Sequence, residues 1–356
     1  MLRVAITTSD TEGCGMYRIR FAAEDLSAKG MIELVEYPSI QLEARRRGDG
    51  SAEVLGVSDP PDVDVIVMQR ITERHIADSI SFFRAAGIAV VMDIDDHFQH
   101  VPPAHVMHSF LDPRRNPHSN WRHFKRACAE SDLVVHSTPD LRVYANAHGR
   151  SYLLRNYVPE RYLSIKVDEH KQLAVGWGGT TTIHPGDLEV TGGGVGQAVD
   201  DVGAEFINVG NGDGVRKLVG LKNEPIVTGI VPFDRYPREV ARFDVGIAPL
   251  HDSVFSRAKT PLKALEYSAL GVAWVGSRLP EYEWLQAEIG AGQLCNPRAR
   301  DWYRAVRRLL TDREYRLDQQ QVARAAVAEK FLLERNSWRW AEAWQLAREN
   351  FERTAG

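Results

Sequence analysis

Cysteine is scarce in this 356-residue chain: there are three, Cys14, Cys128 and Cys295, widely spaced and odd in number. That excludes a disulfide framework or a CxxC zinc site and suits a reducing compartment, so a cytoplasmic location is expected. Long apolar runs are missing too. No stretch approaches the ~20 residues that a membrane-spanning helix needs. The chain enters a strand-like run at Leu2, and neither a signal peptide nor a lipidation motif is expected. An excess of either charge is also lacking, since 44 Lys+Arg against 48 Asp+Glu leave −4. This excludes a general polyanion-binding surface but leaves room for a local basic cleft, and it argues against long duplex DNA as a partner. What remains is the composition of an ordinary globular protein, at a length that favours two domains.

The first half alternates two kinds of segment. Leu2–Thr8, Ile32–Tyr37, Asp64–Gln69, Ile88–Ile94 and Leu133–Ser137 are short apolar runs, separated by helical stretches such as Phe21–Lys29 and Ile76–Ala86. This is a doubly wound α/β pattern. The polar segment NYVPERYLSIKVDEH (156–170) has no period and reads as a linker. The pattern then restarts with strands expected at Gln172–Trp177, Glu205–Val209, Pro225–Ile230, Asp244–Pro249, Val272–Gly276 and Gly292–Cys295. From Asp301 the chain is helical and amphipathic, and Trp338, Trp340 and Trp344 are expected to be core or domain-packing residues. The expected architecture is α/β, with two Rossmann-like doubly wound domains facing a cleft. Residues 1–165 form the first, completed by a C-terminal helix, 338–356, that crosses back to it; residues 166–337 form the second.

The stretch from Asp244 to Ser277 is the most informative. Thr260 reads as an N-cap, Pro261 as the first helical residue and Gly271 as the left-handed exit. Lys259 and Lys263 then sit at the positive end of a helix dipole, where cations are unfavourable unless an anion binds. Glu266 lies three residues after Lys263 on the same face, placed to reach hydroxyls beside that anion. The plain alternative is a solvated Lys/Glu pair. The second domain opens with a strand followed by Gly178, Gly179 and Thr180, small residues and donors suited to a phosphate, although no GK[ST] follows. His184 and Asp187 are either ligand contacts or a turn in which Asp187 caps a helix, and residue type favours the cap. The glycines of TGGGVG and VGNGDG read as turns.

In the first domain, Gly13 and Gly15 follow the first strand in GCGMYRIR, but no third glycine completes a dinucleotide fingerprint. A ligand-facing loop of another kind is expected, including Tyr17 and Arg18. The fourth strand ends in VVMDIDDHF, which puts Asp93, Asp95 and Asp96 at its carboxyl tip. Clustered carboxylates there must be solvated, paired or metal-bound. They read as a metal-holding pair, as a base or acceptor-hydroxyl ligand at Asp95 or Asp96, or as turn caps. His97, His100, His105, His108, His118 and His123 follow, interrupted by Pro102, Pro103, Pro113 and Pro117, which indicates an irregular loop rather than a zinc site.

Taken together, these segments resemble the GT-B glycosyltransferases, in particular the retaining, family-four-like group (glycosyltransferase group 1). The residues that carry the resemblance are GCGMYRIR, SDLVVHSTPDLRVY followed by LLRNYVPERYL, VGWGGTTTIHPGD, and DVGIAPL…KTPLKALEYSALGVAWVGS. The resemblance implies sugar transfer from a nucleoside-diphosphate sugar, UDP- or GDP-linked, to an acceptor hydroxyl, with retention, no metal and no tightly bound cofactor. Gly178, Gly179, Thr180, Lys259, Thr260, Lys263 and Glu266 would hold the donor, Glu266 on its ribose. Val231 and Tyr236 in VPFDRY would receive the base. Asp95, Asp96 and Lys259 would be catalytic, and Gly13, Gly15, Tyr17 and Arg18 would form an acceptor-side loop. Two places depart from the pattern. Ala258 stands where the first of two paired glutamates is expected, and Asp95-Asp96 stand where relatives show His-Asp. A sugar-nucleotide hydrolase or epimerase on this fold, a non-catalytic nucleotide- or glycan-binding protein and an NAD-dependent dehydrogenase are the alternatives. The acceptor (glycan, protein, lipid-linked sugar, metabolite or modified nucleobase) and the oligomeric state are open.

Overall fold

The computed structural model describes residues 1–46, 48, 52–165 and 172–355. The chain divides into two compact units: one holds residues 1–103, 107–156 and the chain from Leu333 onward, and the other holds 104–106 and 157–332. The sequence reading put the change of domain at 165/166 and 337/338; the chain changes unit at 156/157 and 332/333. The start of the expected linker is integral to the second unit. Glu160–Ser164 form a 3-10 turn with Tyr162 buried, and Arg324 donates to the Leu163 carbonyl. Residues 166–170 of that linker lie outside the described residues.

In the first unit the strands are β1 (Leu2–Thr7), β2 (Ile32–Glu36), β3 (Leu42–Arg46), β4 (Ala52–Val57), β5 (Val65–Gln69), β6 (Ala89–Ile94), β7 (Leu133–His136) and β8 (Ser151–Leu153). Six of them form a parallel sheet in the order β2-β1-β5-β6-β7-β8. Strands β5, β6 and β7 are buried throughout, as β-branched strands covered on both faces must be. Each buried Val or Ile side chain contributes roughly 1.5–3 kcal/mol as an upper bound. The antiparallel hairpin β3–β4 is not expected from the sequence, because LEARR is charged and exposed and AEVLGV shows no clean alternation. After β1 the helix starts earlier than expected. Gly13–Gly15, a π turn at Met16–Arg20 and Phe21–Ala28 follow one another directly. The C-terminal helix Trp338–Ala355 packs within this unit: Trp340 and Trp344 are buried, and the Trp340 Nε1–H donates to the Arg18 carbonyl. Trp338 departs from its expected core role. It is 44% exposed, with the Arg339 guanidinium over its ring.

The second unit contains β9 (Ala174–Gly178), β10 (Glu205–Val209), β11 (Ile226–Val227), β12 (Val245–Ala248), β13 (Ala273–Ser277) and β14 (Gln293–Cys295). They form a parallel sheet ordered β11-β10-β9-β12-β13-β14. In chain order this is 3-2-1-4-5-6, the nucleotide-binding arrangement in which ligands sit beyond the carboxyl ends of the strands where the order reverses. The reversal falls between β9 and β12. One face of the sheet is covered by a core that includes Trp177, Val195, Val245, Val275, Trp302 and Val306. In TGGGVG, Gly192 and Gly193 take positive φ as a turn requires, but Gly194 and Gly196 lie in the helix Gly194–Val202, so the turn reading holds for only part of the motif.

Candidate functional site

At the reversal point of the second unit the strands part. β12 pairs with β9 only at Val245↔Val175 and Gly246↔Gly176, so the carboxyl ends of both strands are left without each other. Tyr267, from the helix Leu262–Ala269, fills the split. Its hydroxyl accepts from the Gly178 N–H at 3.3 Å and donates to the Ile247 carbonyl at 3.1 Å. Its ring lies over Gly246, where a Cβ would come within 2.6 Å of it. The helix is thereby locked to the sheet through a side chain that the sequence reading passed over.

That helix presents Lys263, half-buried, and Glu266, 4% exposed. Its start differs from expectation: the first helical residue is Leu262, Pro261 occupies the cap position, and no side chain caps it. Thr260 is therefore not the N-cap, because Pro261 with ψ 37 falls outside the helix. Gly271 takes φ 74 after the helix, as its residue type predicts. Lys259 places its ammonium 4.4 Å from the centroid of Phe255, whose other ring neighbour is His105 at 5.7 Å. Ala258 is fully buried.

The loop after β9 is fixed by its neighbour. The Asn208 amide donates to the Trp177 and Gly179 carbonyls at 3.2 and 3.0 Å, and the Gly179 N–H donates to Val209 O at 2.9 Å. Thr180 Oγ1 accepts from the Asn211 N–H at 3.3 Å, and a hydroxyl that accepts can still donate. Gly178 leaves no room for a side chain, since a Cβ would lie 2.3 Å from the Tyr236 hydroxyl. Burial and then the nearby Glu266 carboxylate hold the Tyr236 phenol well above its ordinary pKa. Gly178, Tyr236, Glu266 and Tyr267 thus form one neighbourhood. Val231 is half-buried on the loop before the helix Tyr236–Val240.

His184 and Asp187 correct an expectation. Asp187 precedes a 3-10 turn but makes no side-chain cap. Its Oδ2 faces His184 Nδ1 at 3.0 Å, and its Oδ1 accepts from the His251 N–H at 2.8 Å. On the other side of the ring, Lys263 Nζ stands 3.4 Å from His184 Nε2. Burial, followed by Lys263, lowers the His184 pKa to about 4; Asp187 opposes the shift and Lys259 adds to it. Lys263 therefore faces a neutral imidazole whose other nitrogen is held by Asp187.

In the first unit the order reverses between β1 and β5, and a different cluster occupies the carboxyl edge. Asp93 is 2% exposed and takes a forked ion pair from Arg18, with contacts of 3.2 and 2.8 Å; Arg18 also donates to Leu154 O and Asn156 Oδ1. Asp95 and Asp96 are paired with Arg70, whose NH2 lies 2.6 Å from Asp95 Oδ2, 3.1 Å from Asp96 Oδ2 and 2.9 Å from Cys14 Sγ. Arg70 has φ 52, the one positive value outside glycine among the described residues. Strain of this kind persists where surrounding contacts over-determine it, and it clusters at functional sites. Gln69 completes the edge by accepting from the Ser9 N–H and donating to Cys14 O.

The segment expected to form an acceptor-side loop is mostly helix. Gly13 begins it, Gly15 leaves no space beside the Asp10 carbonyl, and Tyr17 and Arg18 are buried at 1% and 0% exposure because they face the sheet. The histidines after β6 disperse. His97 Nδ1 lies 2.9 Å from the Tyr144 hydroxyl, His105 packs on Phe255, and the His123 Nε2–H donates to Pro117 O. Among the described residues, no three His, Cys, Asp or Glu gather as a metal site would require.

Residues missed from sequence include Arg70, Asn208 and Tyr267. The first two carried a signal: a charged residue directly after the buried run VIVMQ, and an amide inside the apolar run FINV. Tyr267 carried none, since its hydroxyl acts only once the strands separate.

Two six-stranded parallel sheets on two units are the architecture of the GT-B glycosyltransferases, and residues 194–312, about a third of the chain, match the family model Glycosyl transferases group 1. Sucrose-phosphate synthase from Thermosynechococcus elongatus has a similar structure at 12% identity, covering 97% of this chain and 98% of that one with a TM-score of 0.63. Anabaena HepE in complex with UDP is similar at 14% identity, with 96% and 99% coverage and a TM-score of 0.63. The starch synthase IV catalytic domain from Arabidopsis thaliana bound to ADP and acarbose follows at 9% identity, with 98% and 99% coverage and a TM-score of 0.61. No curated protein matches the chain in sequence. Among the described residues, no helix is long and apolar enough to cross a membrane.

Proposed function

We propose that the protein transfers a glycosyl unit from a nucleoside-diphosphate sugar to an acceptor hydroxyl, with retention and without a metal. The observation that carries this reading is the convergence of Lys263, Lys259, the Gly178–Thr180 loop and buried Glu266 beyond the β9/β12 reversal. A leaving diphosphate needs fixed positive charge and preorganised donors; two ammonium groups supply the charge, and the helix start and the Thr180 hydroxyl supply donors, the Gly178 and Gly179 N–H groups being engaged within the unit. Glu266, behind Lys263 on the same helix, is placed to accept from ribose hydroxyls. Tyr236 stands beside Gly178 and Glu266, so its assigned role moves from the base toward the ribose and phosphate end, and Val231 is left for the base. Lys259 takes the place of the first glutamate as the contact to the transferred sugar or its diphosphate, because Ala258 is buried and carries no polar group. In the first unit, Asp95 or Asp96 orients the acceptor hydroxyl and takes its proton.

The HepE and starch synthase structures contain UDP and ADP, which adds adenine nucleotides to the UDP- and GDP-sugars expected from the sequence. The test is a mass-spectrometric screen of UDP-, GDP- and ADP-sugars for binding and for nucleoside-diphosphate release, with and without acceptor mixtures. Release that rises with one acceptor class supports transfer. A second reading, non-catalytic nucleotide binding, draws on buried Ala258 and on the engagement of Asp95 and Asp96 with Arg70. Tight nucleotide binding with no release or transfer in any mixture would favour it.

A further inference from the structure

His184 has no part in the donor reading above, yet it touches that site on two sides. It sits at the end of the turn that begins with the glycine loop: the Ile183 and His184 N–H groups both donate to Thr180 O, at 3.1 and 3.2 Å. The carboxylate of Asp187, 5% exposed, can only accept, so the proton between it and His184 belongs to Nδ1. Asp187 is itself held by the His251 backbone N–H, which fixes the ring plane. The tautomer follows: Nε2 carries a lone pair, and the group opposite it, the Lys263 ammonium at 3.4 Å, can only donate. The Trp177 ring stands nearly perpendicular to the imidazole, 5.9 Å away between centroids. An imidazole orients an ammonium without cancelling its charge, as a carboxylate would.

Resting on the donor reading above, we propose that His184, set in one tautomer by Asp187, is a positioning residue that holds the Lys263 ammonium against the donor diphosphate. The Asp187–His184–Lys263 chain then joins the loop that carries Thr180 to the Lys263 helix, so that the Thr180 hydroxyl and the cation approach the same phosphates as one rigid set. His184 acts through Lys263, and its effect is confined to ligands that carry the diphosphate.

The experiment titrates UDP, GDP and ADP calorimetrically, together with the matching nucleosides, into wild type, Lys263→Ala, His184→Ala, His184→Gln, His184→Asn and His184→Ala/Lys263→Ala. The proposal predicts about tenfold weaker diphosphate binding in His184→Ala, with nucleoside affinity unchanged. It also predicts less than about twofold further loss when His184→Ala is added to Lys263→Ala, because coupled partners are not additive. Glutamine places a side-chain amide near the Nε2 position and asparagine near Nδ1. His184→Gln is therefore expected to regain affinity that His184→Asn does not, whereas a purely structural role would follow melting temperature in both. If Lys263→Ala weakens binding but His184→Ala does not, or if the two losses add in full, the role of His184 is overturned while the donor site stands. If none of the three diphosphates binds wild type, or if Lys263→Ala leaves their affinity unchanged, the donor reading falls and takes this inference with it.

Discussion

Both parallel sheets reverse their strand order beside their first strand, β1 or β9, and the carboxyl edges at the two reversals have opposite chemistry. In the first unit the edge is acidic and internally paired: Asp93 with Arg18, and Asp95 and Asp96 with Arg70. In the second unit the edge is cationic, with lysines beside a neutral histidine, a glycine loop and a split between strands bridged by Tyr267. The doubly wound fold supplies a binding position at both reversal points, and the side chains decide what each position takes. A carboxylate edge held by arginines suits hydroxyl-bearing ligands and proton transfer, whereas a lysine and N–H edge suits phosphates.

The contrast can be broken most severely at Arg18. It is fully buried with Asp93, and removing one partner leaves a charge in an apolar strand, so Arg18→Ala is expected to cost about 3–5 kcal/mol in chemical denaturation. A loss below about 1 kcal/mol, the range of an exposed pair, would show that the acidic edge is not held as described. Gly178→Ala tests the cationic edge. The new Cβ meets the Tyr236 hydroxyl at 2.3 Å, so overpacking of about 1–3 kcal/mol is expected, and Gly178→Ala/Tyr236→Phe should recover part of it in a thermal melt.

Acid sharpens the comparison because each unit holds a histidine kept neutral by its surroundings. His97, lowered to about 4 by burial and then by His100, sits in the first unit, and His184, lowered to about 4 by burial and then by Lys263, sits in the second. Between the unfolded value of 6.5 and about 4 the unfolded chain binds more protons, so stability rises with pH across that window and is lost as pH falls through it. Replacing either histidine by glutamine should flatten denaturation midpoints measured from pH 7 to 4, by on the order of 1–2 kcal/mol each. The smallest effect concerns Arg70. Glycine relieves φ 52 where alanine does not, so Arg70→Gly should be more stable than Arg70→Ala by about 1 kcal/mol. Turnover should fall in both variants while nucleotide affinity stays unchanged, because the missing guanidinium belongs to the acidic edge.

Much of this contrast was legible in the chain. Buried strands such as VIVMQ, AVVMDI and AVGWG announce themselves as apolar runs ending in polar residues, and those ends are where Asp93, Asp95, Asp96, Gly178 and Gly179 were found. Lys263 and Glu266 lie on one helix, as their spacing of three implies. Other features depend on distant contacts. Thr260 loses its cap role to the backbone angles of Pro261, Asp187 turns from cap to histidine partner because His251 reaches it, and Arg18 turns inward because Asp93 lies 75 residues away in sequence. The hairpin β3–β4 escaped because LEARR is charged and exposed and AEVLGV is only partly buried without alternation.

The central claim is that the cationic edge holds a nucleoside diphosphate. It is tested most directly by calorimetric titration of UDP, GDP and ADP into wild type, Glu266→Ala and Lys263→Ala. One nucleotide is expected to bind wild type, with affinity about tenfold weaker in each variant, equivalent to about 1.4 kcal/mol, and with melting temperatures preserved. Unchanged affinity in both variants would contradict the account.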